Sequence, residues 1–443
     1  MGQEVAKRTL AEWLAYQQSV HPRSIELGLD RVREVWRRMG QPRPAPIVIV
    51  VGGTNGKGST VAFLEAMLTA GGKRVGCYTS PHLLRYNERV RVCGRDASDA
   101  DLVAAFERIE AARGDIALTY FEFGTLAALW IFAASRLDVA VLEVGLGGRL
   151  DAVNIVDSDA AVITTVDLDH QDWLGNDRDS IGREKAGIAR DGRPAVIGMA
   201  DPPPGLLDEV LRIGAHVVRA GRDFDATSRG QAWRWRMGTT QLDLPLPTLS
   251  APCQIDNAAA AIAALSSLRD RIDWNPQAVA DGVRDARVAA RLQHFLCAGR
   301  ADIFIDVAHN PQAARSLARW LSRNAVTGRT IAVFGALDDK DVAGIVAPFG
   351  ALIDEWELAA LDGCSPRGLA ATALQSRFAA AAPAAACSLH GDPEAALASA
   401  RARARPGDRI VAFGSFYIAA AVLAAMIAPD SGCINADPRL PQV

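Results

Sequence analysis

The stretch VGGTNGKGST, Val51 to Thr60, decides how the rest of the chain is read. It follows the apolar run PIVIV and leads into VAFLEAMLTA, whose spacing predicts a helix. Strand, glycine-rich turn, helix is the layout that binds phosphate on backbone N–H groups and a helix N-terminus. The spacing departs from the strict P-loop, G-x-x-x-x-G-K-[ST]. Counting back from Lys57, the first glycine would fall at position 51, which is valine, and Gly58 separates Lys57 from the first hydroxyl, Ser59. The residue types still suit phosphate. Gly53, Gly56 and Gly58 let backbone approach closely, Lys57 offers a cation to the β and γ phosphates, and Ser59 can ligate Mg²⁺. A glycine-rich turn carrying a solvated lysine is the bland alternative; the strand–loop–helix context favours a phosphate loop.

Outward from this loop, short apolar runs alternate with helical segments: PIVIVVGG, KRVGCYTS, LDVAVLEVG, AAVITTVD, PAVIGMA and HVVRAG. This alternation predicts βαβ units around a parallel sheet. Before the loop, RTLAEWLAYQQSVHPRSIELGLDRVREVWRRMG has helical periodicity on both sides of Pro22. The alternating AWRWRMG reads instead as antiparallel hairpin or edge strands, and the helix QIDNAAAAIAALSSL follows it. A second βα series runs through DIFIDVAHN, RTIAVFGAL, EWELAAL, ACSLHGD and RIVAFGSF. The expected division is residues 1–290, residues 291–428 as a smaller Rossmann-like α/β domain, and a frayed tail over 429–443.

Composition bounds the function. The chain has 443 residues, 49% hydrophobic and 22% charged, with a net charge of −3, which gives no electrostatic reason to expect a nucleic-acid partner. Seven cysteines lie scattered without a C-x-x-C pair, a pattern expected of reduced thiols in a cytoplasm. The N-terminus has no apolar core of an export signal. The longest apolar run, FYIAAAVLAAMIA, is too short to span a bilayer and reads as a buried helix after a strand.

Other residues of chemical interest sit at strand ends. Glu143 closes DVAVLEVG and precedes the glycine-rich GLGGRLDAVN. A carboxylate there could hold Mg²⁺, or could cap a helix or pair with a cation. His170, in TTVDLDHQDWLG, reads on its own more readily as structural than as a metal ligand. Lys185 in IGREKAGI reads as a solvated helix lysine, and Ser80 in TSPHL as an N-cap before Pro81. Asp306 and His309 share IDVAHNPQ, where Asn310 and Pro311 look like N-cap and first helical residue. Asp306 could contact a ribose or base, or be satisfied by its own loop.

Taken together the motifs carry a resemblance almost end to end: IELGLDRV, GTNGKGS, TSPHL with NERVRV, TYFEFGTLAAL, LEVGLGGRLDAVN, DHQDWLG, IGREKAGI, DNAAAAIAAL, DVAHNP, PRG and FGSF. The sequence resembles the bifunctional dihydrofolate synthase/folylpolyglutamate synthase family of the Mur ligase superfamily. Lys-Gly-Ser after the turn is similar to the folate branch, where Mur ligases proper usually have Lys-Thr. The resemblance implies an α/β fold, with an N-terminal P-loop-type ATPase domain on a mostly parallel sheet facing the smaller domain across a cleft. It implies an ATP-dependent ligase that phosphorylates a pteroate or folate carboxylate and lets the amine of glutamate attack the acyl phosphate, with closure excluding water.

By residue, it implies ATP contacts at Thr54, Asn55, Gly56, Lys57, Gly58, Ser59, Asn257, Arg291 and Asp306. It implies two Mg²⁺ ions held by Ser59, Ser80, Glu143 and His170, and a CO₂-derived carbamate on Lys185 that adds a carboxylate to that set. Lys57, Lys185, His170 and His309 would stand at the chemistry. The pterin side would be Leu27, Thr119, Tyr120, Phe121, Glu122, Leu150, Asp151 and Ala152. Substrates would be dihydropteroate, reduced folates and L-glutamate, without nucleic acid or membrane partners, in a cytoplasmic monomer. One departure stands out: Ala290 precedes Arg291 where the family usually has glycine. Two rival readings remain: a Mur-type amino-acid ligase on a UDP-muramyl precursor, which would want Lys-Thr and a UDP-binding domain before the loop, and a non-catalytic nucleotide switch, which needs fewer polar strand ends.

Overall fold

The computed structural model describes residues 8–21, 23 and 25–437; Pro22 and the end of the expected tail, 438–443, lie outside the described residues. The chain divides into two compact units, Met1–Leu246 with Ile255–Ala286, and Pro247–Gln254 with Arg287–Val443.

In the first unit the strands are β1 Ile47–Gly52, β2 Val75–Tyr78, β3 Val90–Val92, β4 Arg95–Asp96, β5 Val139–Glu143, β6 Ala160–Ile163, β7 Pro194–Ile197 and β8 His216–Arg219. They form one sheet in the order β4-β3-β2-β5-β1-β6-β7-β8. It is parallel from β2 to β8, and β3 and β4 add an antiparallel edge. β1 and β5 are buried along their whole length. Their unbroken apolar runs are what a sheet covered on both faces requires. The helix Tyr120–Ala134 is apolar nearly all round and correspondingly buried.

Chain order and sheet order disagree in a way that makes the site. From β1 the chain crosses to β2, later returns β5 between them, and then lays β6 on the other flank of β1. The reversal at β1 opens a crevice at the C-terminal strand ends, where doubly wound sheets hold ligands. Gly52, Tyr78, Glu143 and Ile163 end the four strands that border it.

The alternating stretch forms a three-stranded antiparallel sheet, β9 Phe224–Arg229, β10 Ala232–Met237 and β11 Thr240–Pro245. Trp233 and Trp235 face inward, fully buried, while Arg234 and Arg236 pair outside with Asp243 and Asp225. One buried carboxylate fastens the unit. Asp159 accepts from the Val48 backbone N–H at 2.8 Å, from Arg43 at 2.7 Å and from Arg271 at 2.5 Å, so the base of β1 is tied to the segment after the antiparallel sheet.

The second unit carries β12 Gln293–Cys297, β13 Asp302–Ile305, β14 Thr330–Phe334, β15 Glu355–Ala359, β16 Cys387–His390, β17 Arg409–Phe413 and β18 Cys433–Asn435. Their order is β16-β15-β14-β17-β13-β12-β18, with β12 antiparallel to both its neighbours. Phe334, Phe349, Trp356, Phe378 and Phe413 fill its core. FYIAAAVLAAMI is a helix after β17, as its apolar run predicts. The tail departs from expectation: Cys433–Asn435 is an edge strand rather than frayed chain. The cysteines also depart, because Cys297 and Cys433 form a disulfide across that strand pair. A pairing between residues 136 apart becomes possible only when β18 lies beside β12, so spacing could not show it. Among the described residues no helix is long and apolar enough to cross a membrane.

The Asp159 pKa is lowered, against its burial, by Arg271, the Val48 N–H and Arg43. A lowered carboxylate contributes stability above its unfolded value and loses it as pH falls through its folded value. Asp159→Asn should therefore cost about 2–4 kcal/mol near pH 7. The gap to wild type should close below about pH 3.8, as urea unfolding at a series of pH values would show.

Candidate functional site

The loop after β1 is shaped by steric exclusion. Gly53 has φ +143° and Gly56 φ +89°, backbone that L side chains rarely adopt. A Cβ on Gly53 would collide with the Thr164 hydroxyl, and one on Gly56 with the Asn257 amide. The loop is instead held by the segment after β6. Thr54 N–H donates to Thr165 C=O at 2.7 Å, Asn55 N–H to the Thr165 hydroxyl at 3.0 Å, and the Thr164 hydroxyl to Asn55 C=O at 2.6 Å. The Thr54 hydroxyl donates to Asp167 C=O and accepts from Asp167 N–H, both at 3.1 Å. Gly56 is the N-cap of the helix Lys57–Ala70, and no side chain caps it. Its first turn thus presents the N–H groups of Lys57, Gly58 and Ser59, the Thr60 N–H being bonded to Gly56 C=O at 2.9 Å, and the positive end of a 14-residue helix, an anion site by construction. Lys57 Nζ folds back over the loop, donating to Gly53 C=O at 3.1 Å and Thr54 C=O at 3.3 Å.

Around this cradle the strand ends supply acid and base. Glu143 is buried and accepts from Ser80 N–H at 3.1 Å. Its carboxylate stands 3.6–3.8 Å from where a Cβ on Gly58 would be. Ser80, Glu143 and the first turn with Ser59 are thus brought together, as expected. Lys185, expected from its position alone to be solvated, is only 4% exposed. Burial pushes its pKa down to about 7, and Lys57 pushes the same way against Asp169 and Asp151. Lys57, Lys185, Asp151 and Asp169 therefore share one neighbourhood. Burial raises Asp151 to about 6, against donors at Leu146 and Val153 and the charge of Lys57. His170 has φ +51° and caps the short helix Gln171–Leu174, next to Asp169.

The expected pterin residues also converge. Gly28 N–H donates to Leu150 C=O at 3.3 Å, joining the Leu27 segment to the loop of Asp151 and Ala152. Phe121 covers Gly145, where a Cβ would leave its ring no room. Thr119 and Glu122 form a capping box that starts the helix Tyr120–Ala134. Buried Glu122 is also paired with Arg31 at 2.9 Å, so these two side chains build the wall rather than stand free in it.

In the second unit Asp306 is buried at the end of β13. It accepts from Leu292 N–H at 2.8 Å and Ala308 N–H at 2.9 Å; burial raises its pKa and Arg291 opposes this. Arg291 lies 5.6 Å over the Phe416 ring, and the His309 ring lies 5.7 Å from the same phenylalanine. Arg291, Asp306 and His309 are therefore one cluster. Ala290 has φ +53°, a left-handed backbone that explains why glycine is usual there.

The donor set suits a hard divalent cation. It offers a carboxylate and serine hydroxyls beside a phosphate cradle, leaving coordination to be completed by phosphate oxygens and water. Among the described residues no three His, Cys, Asp or Glu converge as a ready-made cage, in keeping with a metal that arrives with its nucleotide. Sequence reading passed over Thr164, Thr165, Asp167 and Asp169. Their signal was present in TTVDLD, a polar run at a strand end flanking β1.

Residues 51–265 match the Mur ligase middle domain and residues 290–416 the Mur ligase glutamate ligase domain. The chain is 43% identical over 432 residues to the dihydrofolate synthase/folylpolyglutamate synthase of Escherichia coli, covering 96% of this chain and 98% of that one. It is 39% identical to the Haemophilus influenzae protein of the same name, covering 94% and 97%. Among solved structures, E. coli FolC in complex with DHPP and ADP superposes with a TM-score of 0.88 at 42% identity, covering 97% and 99%. A bifunctional folylpolyglutamate synthase/dihydrofolate synthase with Mn, AMPPNP and L-glutamate bound gives 0.86 at 45%, covering 95% and 98%.

The steric argument for the loop is directly testable. Gly53→Ala should lower stability by about 1–3 kcal/mol and weaken binding of a non-hydrolysable ATP analogue, read by urea unfolding and calorimetric titration. Gly72→Ala, a glycine at φ +77° with nothing near its Cβ, should leave nucleotide binding unchanged.

Proposed function

The chain belongs to the dihydrofolate synthase/folylpolyglutamate synthase family of Mur ligases, and on that premise we propose the role of each site residue in an ATP-dependent glutamate ligase. The reaction joins L-glutamate to 7,8-dihydropteroate and further glutamates to reduced folates. The observation that carries the reading is the cradle of Thr54–Ser59 opposite Glu143 and Ser80. The N–H groups of the first helical turn, Lys57 to Ser59, and the Lys57 ammonium receive the ATP phosphates, with Thr54, Asn55 and Gly56 shaping the cradle, and Asn257, packed on Gly56, supports the nucleotide. Ser59, Ser80, Glu143 and His170 would hold Mg²⁺, which when bound would neutralise phosphate charge and polarise the transferring group. Arg291 and Asp306, with His309 one cluster of the second unit, are the residues we assign to ATP, and His309 the one we assign to the acyl phosphate. The pterin ring lies against Leu27, Tyr120, Phe121, Leu150, Asp151 and Ala152, beside the Thr119–Glu122 cap.

The carboxylate of the pterin substrate attacks the γ-phosphorus, ADP leaves, and the resulting acyl phosphate is opened by the amine of glutamate with release of phosphate. Negative charge gathers at one place in both steps, so fixed donors and cations supply the catalysis. No protein nucleophile is needed. Lys185 fits a carbamate: only an unprotonated amine adds CO₂, and burial beside Lys57 favours that form. So modified, Lys185 would carry a negative charge in place of an ammonium that Mg²⁺ repels, and could ligate or orient a second Mg²⁺. We further propose a cytoplasmic setting, where ATP and reduced pterins are supplied.

ADP release from Mg-ATP should require both glutamate and either dihydropteroate or tetrahydrofolate, and should be absent with a UDP-muramyl peptide; release with the muramyl peptide alone would overturn the folate assignment. Lys185→Ala should lower kcat by roughly 100-fold or more. Wild type stripped of CO₂ should lose activity and regain it with bicarbonate, whereas Lys185→Ala should not respond.

A further inference from the structure

The disulfide between Cys297 and Cys433 has no part in the roles above, yet its effect reaches the segment that carries Arg291. It staples β18, a three-residue strand at the end of its sheet, to β12. The pairing continues past the strand, where Ala436 N–H donates to His294 C=O at 2.9 Å. One residue further the Asp437 carboxylate forms an ion pair with Arg287, and both side chains are largely buried. Arg287 follows directly where the chain leaves the first unit after Ala286. The short stretch that it opens ends where Gln293 Oε1 accepts from Ala290 N–H at 3.0 Å and Asp306 accepts from Leu292 N–H at 2.8 Å. Arg291 therefore sits in a stretch anchored at both ends, and one anchor, Asp437, is only as firm as β18.

Little besides the covalent bond keeps β18 in place. Ile434 is 68% exposed and its cross-strand partner Leu296 48%, so their contact buries little apolar surface. A link between residues 136 apart in sequence therefore matters more here than in a strand with a buried face. In a cytoplasm, the setting proposed above, thiols are kept reduced, and the disulfides that form are usually redox-sensing. The bond is also within reach of solutes: Cys433 is part-exposed, and a cavity of about 310 Å³ lined by Leu296, Cys297, Ala298, Asp302, Gly432 and Ile434 lies alongside. We propose that Cys297 and Cys433 are a reversible dithiol–disulfide site, exchanging with small thiols of the glutathione class, whose state sets nucleotide affinity through the Asp437–Arg287 pair. A thiolate attacks one sulfur to form a mixed disulfide, and a second thiol displaces it. Cys297 and Cys433 gain two electrons and two protons, and the two reductant thiols leave as one disulfide. Reduction frees β18, Asp437 withdraws from Arg287, and a guanidinium left unpaired in a part-buried place pulls the Arg291 stretch out of position. This rests on the assignment of Arg291 to ATP.

The experiment measures binding of Mg-AMPPNP to the full chain by calorimetry, oxidised and after dithiothreitol, with the disulfide followed by mass spectrometry. Reduction should weaken binding roughly 5-fold or more, and glutathione disulfide should restore it. Reciprocity then requires saturating Mg-AMPPNP to shift the site toward the disulfide, in a glutathione buffer, by the same factor. Cys433→Ser should bind as reduced wild type does and ignore dithiothreitol. Asp437→Asn, which keeps the disulfide, should bind weakly when oxidised and lose little more on reduction. A chain with Cys93→Ser, Cys364→Ser and Cys387→Ser, which removes the exposed free cysteines, should keep the full response. Equal affinity of oxidised and reduced wild type overturns the proposal, as does a reduction effect that survives in Cys433→Ser. Oxidised Asp437→Asn binding as tightly as wild type overturns it too, and decides the matter should Cys433→Ser fail to fold. Failure of wild type to bind Mg-AMPPNP in either state would instead refute the nucleotide reading of the site.

Discussion

The contact on which the site depends is that between the loop Gly53–Gly56 and the chain leaving β6. Two hydroxyls, Thr164 and Thr165, hold the carbonyl of Asn55 at 2.6 and 3.2 Å, and the two glycines have no space for a side chain. The Thr54 and Asn55 N–H groups are spent on Thr165, and this anchoring fixes the direction of the N–H groups of Lys57, Gly58 and Ser59 in the helix turn that follows. Donors oriented in advance cost little reorganisation when charge develops, which is where electrostatic catalysis gains most. The sheet order serves the same contact, because only the placement of β6 directly beside β1 brings TTVD against the glycines.

The second organising effect is burial of charge. Lys185 has its pKa lowered from 10.5 to about 7, a differential of on the order of 5 kcal/mol between its two protonation states. The same enclosure moves Asp151 the opposite way. Burial disfavours whichever form is charged, so a cation and an acid a short distance apart both drift toward neutrality. A fold that only had to be stable would gain by placing such groups outside. Keeping them beneath a phosphate cradle makes sense where their charge state is part of the chemistry.

Much of this was legible in the chain. Alternating apolar runs located the strands, the glycine turn located a helix N-terminus with uncapped N–H groups, and an apolar run located the helix Phe416–Ile427. Glu143 and Asp306 stood out in the sequence because they close apolar runs, and the structure puts them at and just past the ends of β5 and β13; Arg291 was named only through the family resemblance. What escaped were effects of neighbours distant in sequence. Lys185 looks solvated in IGREKAGI because helix periodicity does not reveal which face is covered. Thr119 and Glu122, expected on the pterin side, also start the helix Tyr120–Ala134 and pair with Arg31, which no local spacing reveals. Cys297 and Cys433 looked unrelated until two antiparallel strands set them side by side.

The sequence by itself determined the local parts: which segments form strands and helices, where the glycine-rich turn lies, and, through motifs spread over nearly the whole chain, the kind of ligase it is. Those properties depend on residue type and short spacing, which a linear string preserves. Tertiary structure alone decided the state of the parts. It placed Lys57 beside Lys185 and turned the tail into an edge strand. The reason is dielectric as much as geometric. A side chain's charge and hydrogen-bonding demand are set by what surrounds it, and only the folded sheet order fixes those surroundings.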